Sequence, residues 1–148
     1  QSQSVNVNEY TVPWIAAESK FGYELAMEWI DSKEEYIATA GWATLSNLVA
    51  IKADEDLDLK ALKNLLQRVE KDIHKAANRV RSNMNGFMIA LGSFVPALTD
   101  ATIQTAKKVG TVMVDVGDTS CKVPDAIEYI MKVKDKGTIG KKKKMARC

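Results

Sequence analysis

At 148 residues, with 46% hydrophobic and 27% charged side chains, the chain can bury a core, which excludes a disordered tail. No apolar run approaches the roughly 20 residues of a membrane-spanning helix, and no N-terminal stretch pairs basic residues with an apolar segment as a signal peptide does. Two cysteines, Cys121 and Cys148, and one histidine, His74, exclude a disulfide scaffold and a multi-histidine metal site. The net charge of +2 conceals a split. From Lys132 to Cys148, eight Lys or Arg stand against one Asp, giving +7; the remaining 13 basic and 18 acidic side chains give −5. The first residue is Gln1 instead of Met, which suggests a fragment of a longer chain.

Residues Gln1 to Asn8 are polar and read as a frayed end. A short helix is expected around Glu9 to Glu18, with Pro13 confined to its first turn or a kink. Phe21 to Ile30 reads as a second helix, with Phe21, Leu25, Ala26 and Trp29 at helical spacing. Asp31-Ser32 offers a cap for a third, about Lys33 to Ile51, which is apolar around most of its circumference. Its Ala38, Ala40 and Gly41 permit close neighbours, so it is expected between other helices.

Asp54, Glu55, Asp56 and Asp58 have a spacing that invites calcium. The pattern fails, because Leu59 stands where the loop needs Gly and Leu65 where it needs Glu. An acidic loop and helix cap is the better account. The fourth helix, about Leu59 to Lys75, places Leu59, Leu62, Leu66, Val69 and Ile73 in one stripe. The fifth, about Arg79 to Phe94, is expected to end at Gly92 and Pro96, and the sixth, about Ala97 to Val109, at Gly110. Val112, Val114 and Val116 alternate with other residues like a strand, but no partner strand is evident, so an ordered connector is expected. After the turn-rich stretch Gly117 to Val123, Pro124 is expected to open a seventh helix to about Lys136. Gly137 and Gly140 end it, and a flexible basic tail follows. The pattern predicts an all-α fold of about seven helices over residues 1–136, with a basic flexible tail over 137–148. Stacked helix pairs, as in a HEAT-like solenoid, and a compact bundle both fit these periodicities.

Three candidate sites emerge. The tail lysines Lys141, Lys142, Lys143 and Lys144, with Lys132, Lys134, Lys136 and Arg147, form an electrostatic footprint for phosphate; a solubilising or localising tail is the competing account. On the fifth helix, Asn78, Arg81 and Asn85 share one stripe beside Arg79, and amides with guanidinium on one face suit a phosphate backbone. Capping and packing would use the same residues. The loop from Gly117 to Lys122 offers backbone N–H groups to an anion but lacks nucleotide-loop spacing, so a structural turn is favoured; Cys121 has no visible partner as a nucleophile. Trp14, Trp29, Trp42 and Tyr36 are expected mainly in the core.

Several motifs carry a resemblance. They are Trp29-Ile30-Asp31-Ser32 with Ala38-Thr39-Ala40-Gly41-Trp42, then Asn78-Arg79-Val80-Arg81 with Met84-Asn85, Ile89-Ala90-Leu91-Gly92 and Ala106-Lys107-Lys108-Val109-Gly110. The last and most specific runs from Val114-Asp115-Val116-Gly117-Asp118-Thr119 through Ser120-Cys121-Lys122-Val123-Pro124. On these, the chain resembles the AlkD-like DNA alkylation repair family over about Trp29 to Ile130. The resemblance implies a right-handed superhelix of HEAT-like helix pairs with a basic concave face for duplex DNA. Characterised members are glycosylases that remove alkylated purines with a carboxylate flanked by tryptophans, and with an Arg on the DNA-facing side. The family Arg falls at Thr39 and a family Trp at about Gly86. The catalytic Asp would lie level with Ser4 to Asn8, where no Asp stands and Glu9 is the nearest acid.

The expected molecule is therefore the C-terminal part of a family member, binding duplex DNA through Arg79, Arg81, Asn85, Lys122 and Lys141 to Lys144. No catalytic carboxylate is assigned. No metal or other cofactor, no membrane contact and a cytoplasmic location are expected. A non-catalytic α-solenoid that binds protein is the alternative.

Overall fold

The computed structural model describes residues 12–115 and 123–145. Among these are seven α-helices: α1 (Val12–Glu18), α2 (Gly22–Trp29), α3 (Glu35–Ile51), α4 (Leu59–Asp72), α5 (Asn78–Phe94), α6 (Pro96–Val109) and α7 (Ala126–Asp135). Helices α2 and α3, α4 and α5, and α6 and α7 form successive pairs. α3 packs along α5 and α5 along α7 in one layer, α4 packs on α6 in the other, and α1 closes the end against α2 and α3. This is the stacked-pair arrangement, so neighbouring pairs share one continuous core and the compact-bundle alternative falls away.

That core explains why α3 is apolar on so many sides. Trp42 is fully buried and meets Phe87 of α5 edge-on, with centroids 5.4 Å apart and planes at 64°. Leu45, Leu48 and Val49 extend the contact, and the α4 stripe of Leu62, Leu66, Val69 and Ile73 packs beneath, joined by Leu65. Arg68 of α4 ties three elements together. Its guanidinium reaches Asp31 at 2.7 Å and the Ile30 carbonyl at 3.1 Å, and it lies over the Trp42 ring at 5.8 Å.

Several boundaries differ from expectation for local reasons. Asp31 is engaged by Arg68, and the Ser32 hydroxyl accepts from Glu34 N–H before α3 begins, so neither caps α3. Phe21 is 58% exposed, with the Lys20 ammonium 5.1 Å from its ring, and lies outside the core. Gly92 sits inside α5 instead of ending it, because Ile130 of α7 packs on the space where a Cβ would stand. Pro124 precedes α7, and Asp125 caps it by accepting from Glu128 N–H at 2.9 Å. Asp58 caps α4 in the same way through Ala61 N–H at 3.1 Å, as the acidic-loop reading expected. Gly110, at φ +71°, ends α6.

The glycines of α3 and α5 yield a paired prediction. A Cβ on Gly41 would come within 2.8 Å of the Ile30 backbone nitrogen, whereas one on Gly86 meets nothing within 4 Å. Gly41→Ala is expected to lower unfolding free energy by about 1–3 kcal/mol through overpacking. Gly86→Ala is expected to raise it by about 0.5–1 kcal/mol through helix propensity. Urea titration of both variants checks the opposite signs.

Candidate nucleic-acid interface

Helix α5 carries two polar stripes, and they do different work. The first is Asn78, Arg81 and Asn85, which do share a face as their spacing predicts. That face grips protein. The Asn78 side-chain oxygen accepts from Asp115 N–H at 3.2 Å. The Asn85 amide donates to the Pro124 carbonyl at 2.9 Å, and Asn85 is 2% exposed. Arg81 donates through Nε to the Ile73 carbonyl, through Nη1 to Met113 and through Nη2 to both His74 and Ala76. Four of the roughly five N–H groups of its guanidinium are thereby used on main-chain carbonyls. The His74 ring joins the set, its Nε2 donating to the Val109 carbonyl at 2.7 Å.

The segment from Gly110 to Asp115 is thus an ordered connector laid along α5, with Val112 and Val114 half-buried and Met113 exposed. Amides and guanidinium do bind a backbone here, but it is the chain's own. Arg81 and Asn85 act as structural clamps in this fold, so packing accounts for both side chains without DNA.

The second stripe of α5 steps by 4, 3, 4 and 3 through Arg79, Asn83, Gly86, Ala90 and Ser93. Residues Gly86, Ala90 and Ser93 floor a groove of about 490 Å³ between α3, α5 and α7. Ser46, Asn47 and Ala50 of α3 form one side and Tyr129 and Val133 of α7 the other. Small residues on the facing helices leave this space open. Helices α3 and α5 run parallel: the Arg79 N–H of α5 donates to Glu35 at the start of α3, and the two C-termini share one cover.

That cover is the basic segment after α7. Gly137, at φ +68°, stops α7, with its N–H on the Lys134 carbonyl and Thr138 N–H on Val133. The chain then turns across the ends of α3 and α5. Gly140 N–H donates to the Ser93 carbonyl at 2.9 Å, and Lys143 N–H to Ala50 at 2.8 Å. The Lys142 ammonium lies 2.9 Å from both the Val49 carbonyl and the Asp54 carboxylate, and its side chain is 19% exposed. Helix C-termini leave carbonyls without partners and carry the negative end of the dipole, so a lysine-rich strap satisfies both needs. The residues expected to begin a flexible tail are placed against the body as far as Lys143.

Along this strap the lysines alternate. Lys142 points inward, while Lys141 and Lys143 line the groove and Lys144 stands exposed. Lys143 also lies 5.9 Å from the Phe94 ring centroid. Lys132, by contrast, is committed to Glu128 at 2.9 Å, whose hydrogen bond and charge hold its ammonium pKa above the ordinary value.

Other expected positions fall as follows. Thr39, where the family Arg would stand, is 1% exposed, so it offers nothing to a ligand. Gly86, where a family Trp would stand, opens onto the groove. Trp42 is core, as expected. Lys122, Cys121, Arg147 and the stretch Ser4 to Glu9 lie outside the described residues. No cluster of three or more metal-ligating side chains occurs among the described residues, and no helix there is long and apolar enough to cross a membrane.

No family profile matches the chain. An uncharacterized protein of Listeria innocua is 38% identical over 111 residues, which cover 75% of this chain and 46% of that protein. An uncharacterized protein of Listeria monocytogenes is 36% identical over 111 residues, with the same two coverages of 75% and 46%. The chain spans about half the length of the curated relatives it matches. One solved structure represents "a new family of proteins related to the HEAT-like repeat DNA glycosylases with affinity for branched DNA structures". It matches with a TM-score of 0.91 at 28% identity, over 99% of this chain and 62% of that one. Element order, pairing and this likeness agree: the chain has the α-α superhelical fold of HEAT-like repeats.

Proposed function

We propose that this chain is a DNA-binding HEAT-like module that holds the phosphate backbone along the α3–α5–α7 face. The carrying observation is the docked strap, which fixes Lys142 inside and presents Lys141, Lys143 and Lys144 beside the groove. A lysine on an anchored backbone loses less freedom on binding than one on a loose tail, so each phosphate contact is stronger. Arg79 begins the stripe whose other end, Ser93, lies under the strap. The separation is roughly 21 Å along α5, or about six nucleotide steps of one strand. The match to a protein with affinity for branched DNA supports the same reading.

The groove lining supplies ammonium groups, hydroxyls and an amide, which are groups for holding a phosphate. Excision of alkylated bases would then belong to residues elsewhere in a longer, glycosylase-like protein. Anisotropy titration of this chain with duplex and four-way-junction DNA tests the proposal. Log affinity is expected to fall linearly with log salt, with a slope of about −3 for three or four phosphate contacts. Affinity that ignores salt, or no binding at low salt, overturns it and leaves the protein-binding scaffold reading. Release of alkylated base by this chain overturns the division of labour.

A further inference from the structure

We infer that the groove takes a single unpaired nucleotide, its base against Tyr129 and its phosphate on Lys141 and Lys143. The inference rests on the DNA-binding reading and narrows it to DNA with an unpaired base.

The first argument is shape. A phosphate backbone crossing a surface needs cations and donors but no concavity. This site is a recess of about 490 Å³, inside the range of about 300–1,000 Å³ typical of small-molecule sites. Gly86 holds it open, since nothing stands within 4 Å of the place a Cβ would occupy.

The second argument is the lining. Ile89, Phe94, Tyr129 and Val133 give it apolar walls beside the lysines. Tyr129 is 50% exposed at the groove, so its ring is accessible to a ligand there. Apolar walls with one exposed ring contribute nothing to a phosphate, but they match the flat face of a base. Base stacking on an aromatic side chain is tolerant of sequence, because every base has a π-face, and it adds to the charge contacts in single-strand binding.

The third argument is an unmet hydrogen bond. Ser93 is 3% exposed and lines the groove, and its hydroxyl oxygen is buried without a partner. A buried hydroxyl at the floor of a recess costs free energy until something bonds to it. The polar edge of a base is such a group once the hydroxyl turns toward the recess, and Asn47 also lines the groove with an amide. In a paired duplex both the face and the edge are already covered by neighbours. An unpaired nucleotide exposes both and carries a phosphate for Lys141 and Lys143, which line the same groove.

The test compares three DNAs of equal length by anisotropy: a fully paired duplex, a duplex with a one-nucleotide bulge, and the same bulge lacking its base. The base-containing bulge is expected to bind roughly tenfold tighter than either of the others. Tyr129→Ala and Gly86→Leu are each expected to abolish that preference, so that the variant binds bulged and paired DNA with equal affinity whatever its affinity for the paired duplex. Nothing stands within 4 Å of a Cβ at position 86 and Tyr129 is 50% exposed, and circular dichroism checks that the variants fold. Equal binding of all three DNAs overturns the nucleotide pocket and leaves the DNA-binding reading standing. No binding to any of them overturns both.

Discussion

Arg81→Ala is expected to lower the unfolding free energy by about 2–4 kcal/mol, a large share of the roughly 5–15 kcal/mol of a typical domain. The guanidinium donates to Ile73, His74, Ala76 and Met113. The first three carbonyls lie where α4 gives way to a short 3-10 turn, Ile73–Lys75, and then to the link into α5. The fourth belongs to the connector after α6. One side chain thus fixes the joint inside the α4–α5 pair and the connector that leaves α6. Bonds from a charged donor contribute about 1.5–3 kcal/mol each when protected, but those to His74 and Met113 are exposed, so the sum is far from additive. Arg81→Lys is expected to rescue little, because an ammonium cannot span four carbonyls in a plane. Urea titration gives the stability, and hydrogen exchange at Met113 to Asp115 should speed up first. Duplex affinity measured well below the melting temperature should stay near that of the unchanged protein. A variant of full stability with weakened DNA binding would restore Arg81 to the interface.

Much of this architecture was legible in the chain. The α4 stripe was read directly, because Leu62, Leu66, Val69 and Ile73 alternate with solvated lysines at a helical period. The all-round apolar character of α3 correctly implied a helix packed between others. Gly110 and Asp58 also serve as the cap and stop their residue types suggest.

What escaped was the partner of each polar group. The stripe of Asn78, Arg81 and Asn85 was placed correctly on one face. Its occupant depended on contacts 32 to 39 residues away, which no local period encodes. Lys142 is the sharper case. Within a run of four lysines nothing distinguishes it, yet its bond to Val49 spans 93 residues. The groove had a signal that went unread: Arg79, Asn83, Gly86, Ala90 and Ser93 repeat at helical spacing with small or polar side chains. A stripe too small to fill space on an otherwise apolar helix marks either a close neighbour or an opening. Gly92, packed on Ile130, is the first kind, and Gly86 is the second.

The strap lysines give the second large effect. The double substitution Lys141→Ala and Lys143→Ala is expected to reduce the salt slope of duplex binding by about 1.8, the loss of two phosphate contacts. If the salt-independent part of binding is unchanged, affinity at 0.1 M salt falls about 60-fold. Stability should barely change, since both side chains are exposed and the main-chain bonds of the strap remain. Lys142→Ala reverses the pattern. It removes the ammonium from Val49 and Asp54, so about 1–3 kcal/mol of stability should be lost. Affinity then falls only as far as the strap lifts and Lys141 and Lys143 lose their fixed positions. A loose cationic tail would behave differently, because its lysines would be interchangeable. Equal losses of affinity from single substitutions at 141, 142 and 143, with no stability change at 142, would show that the strap is not docked when DNA binds.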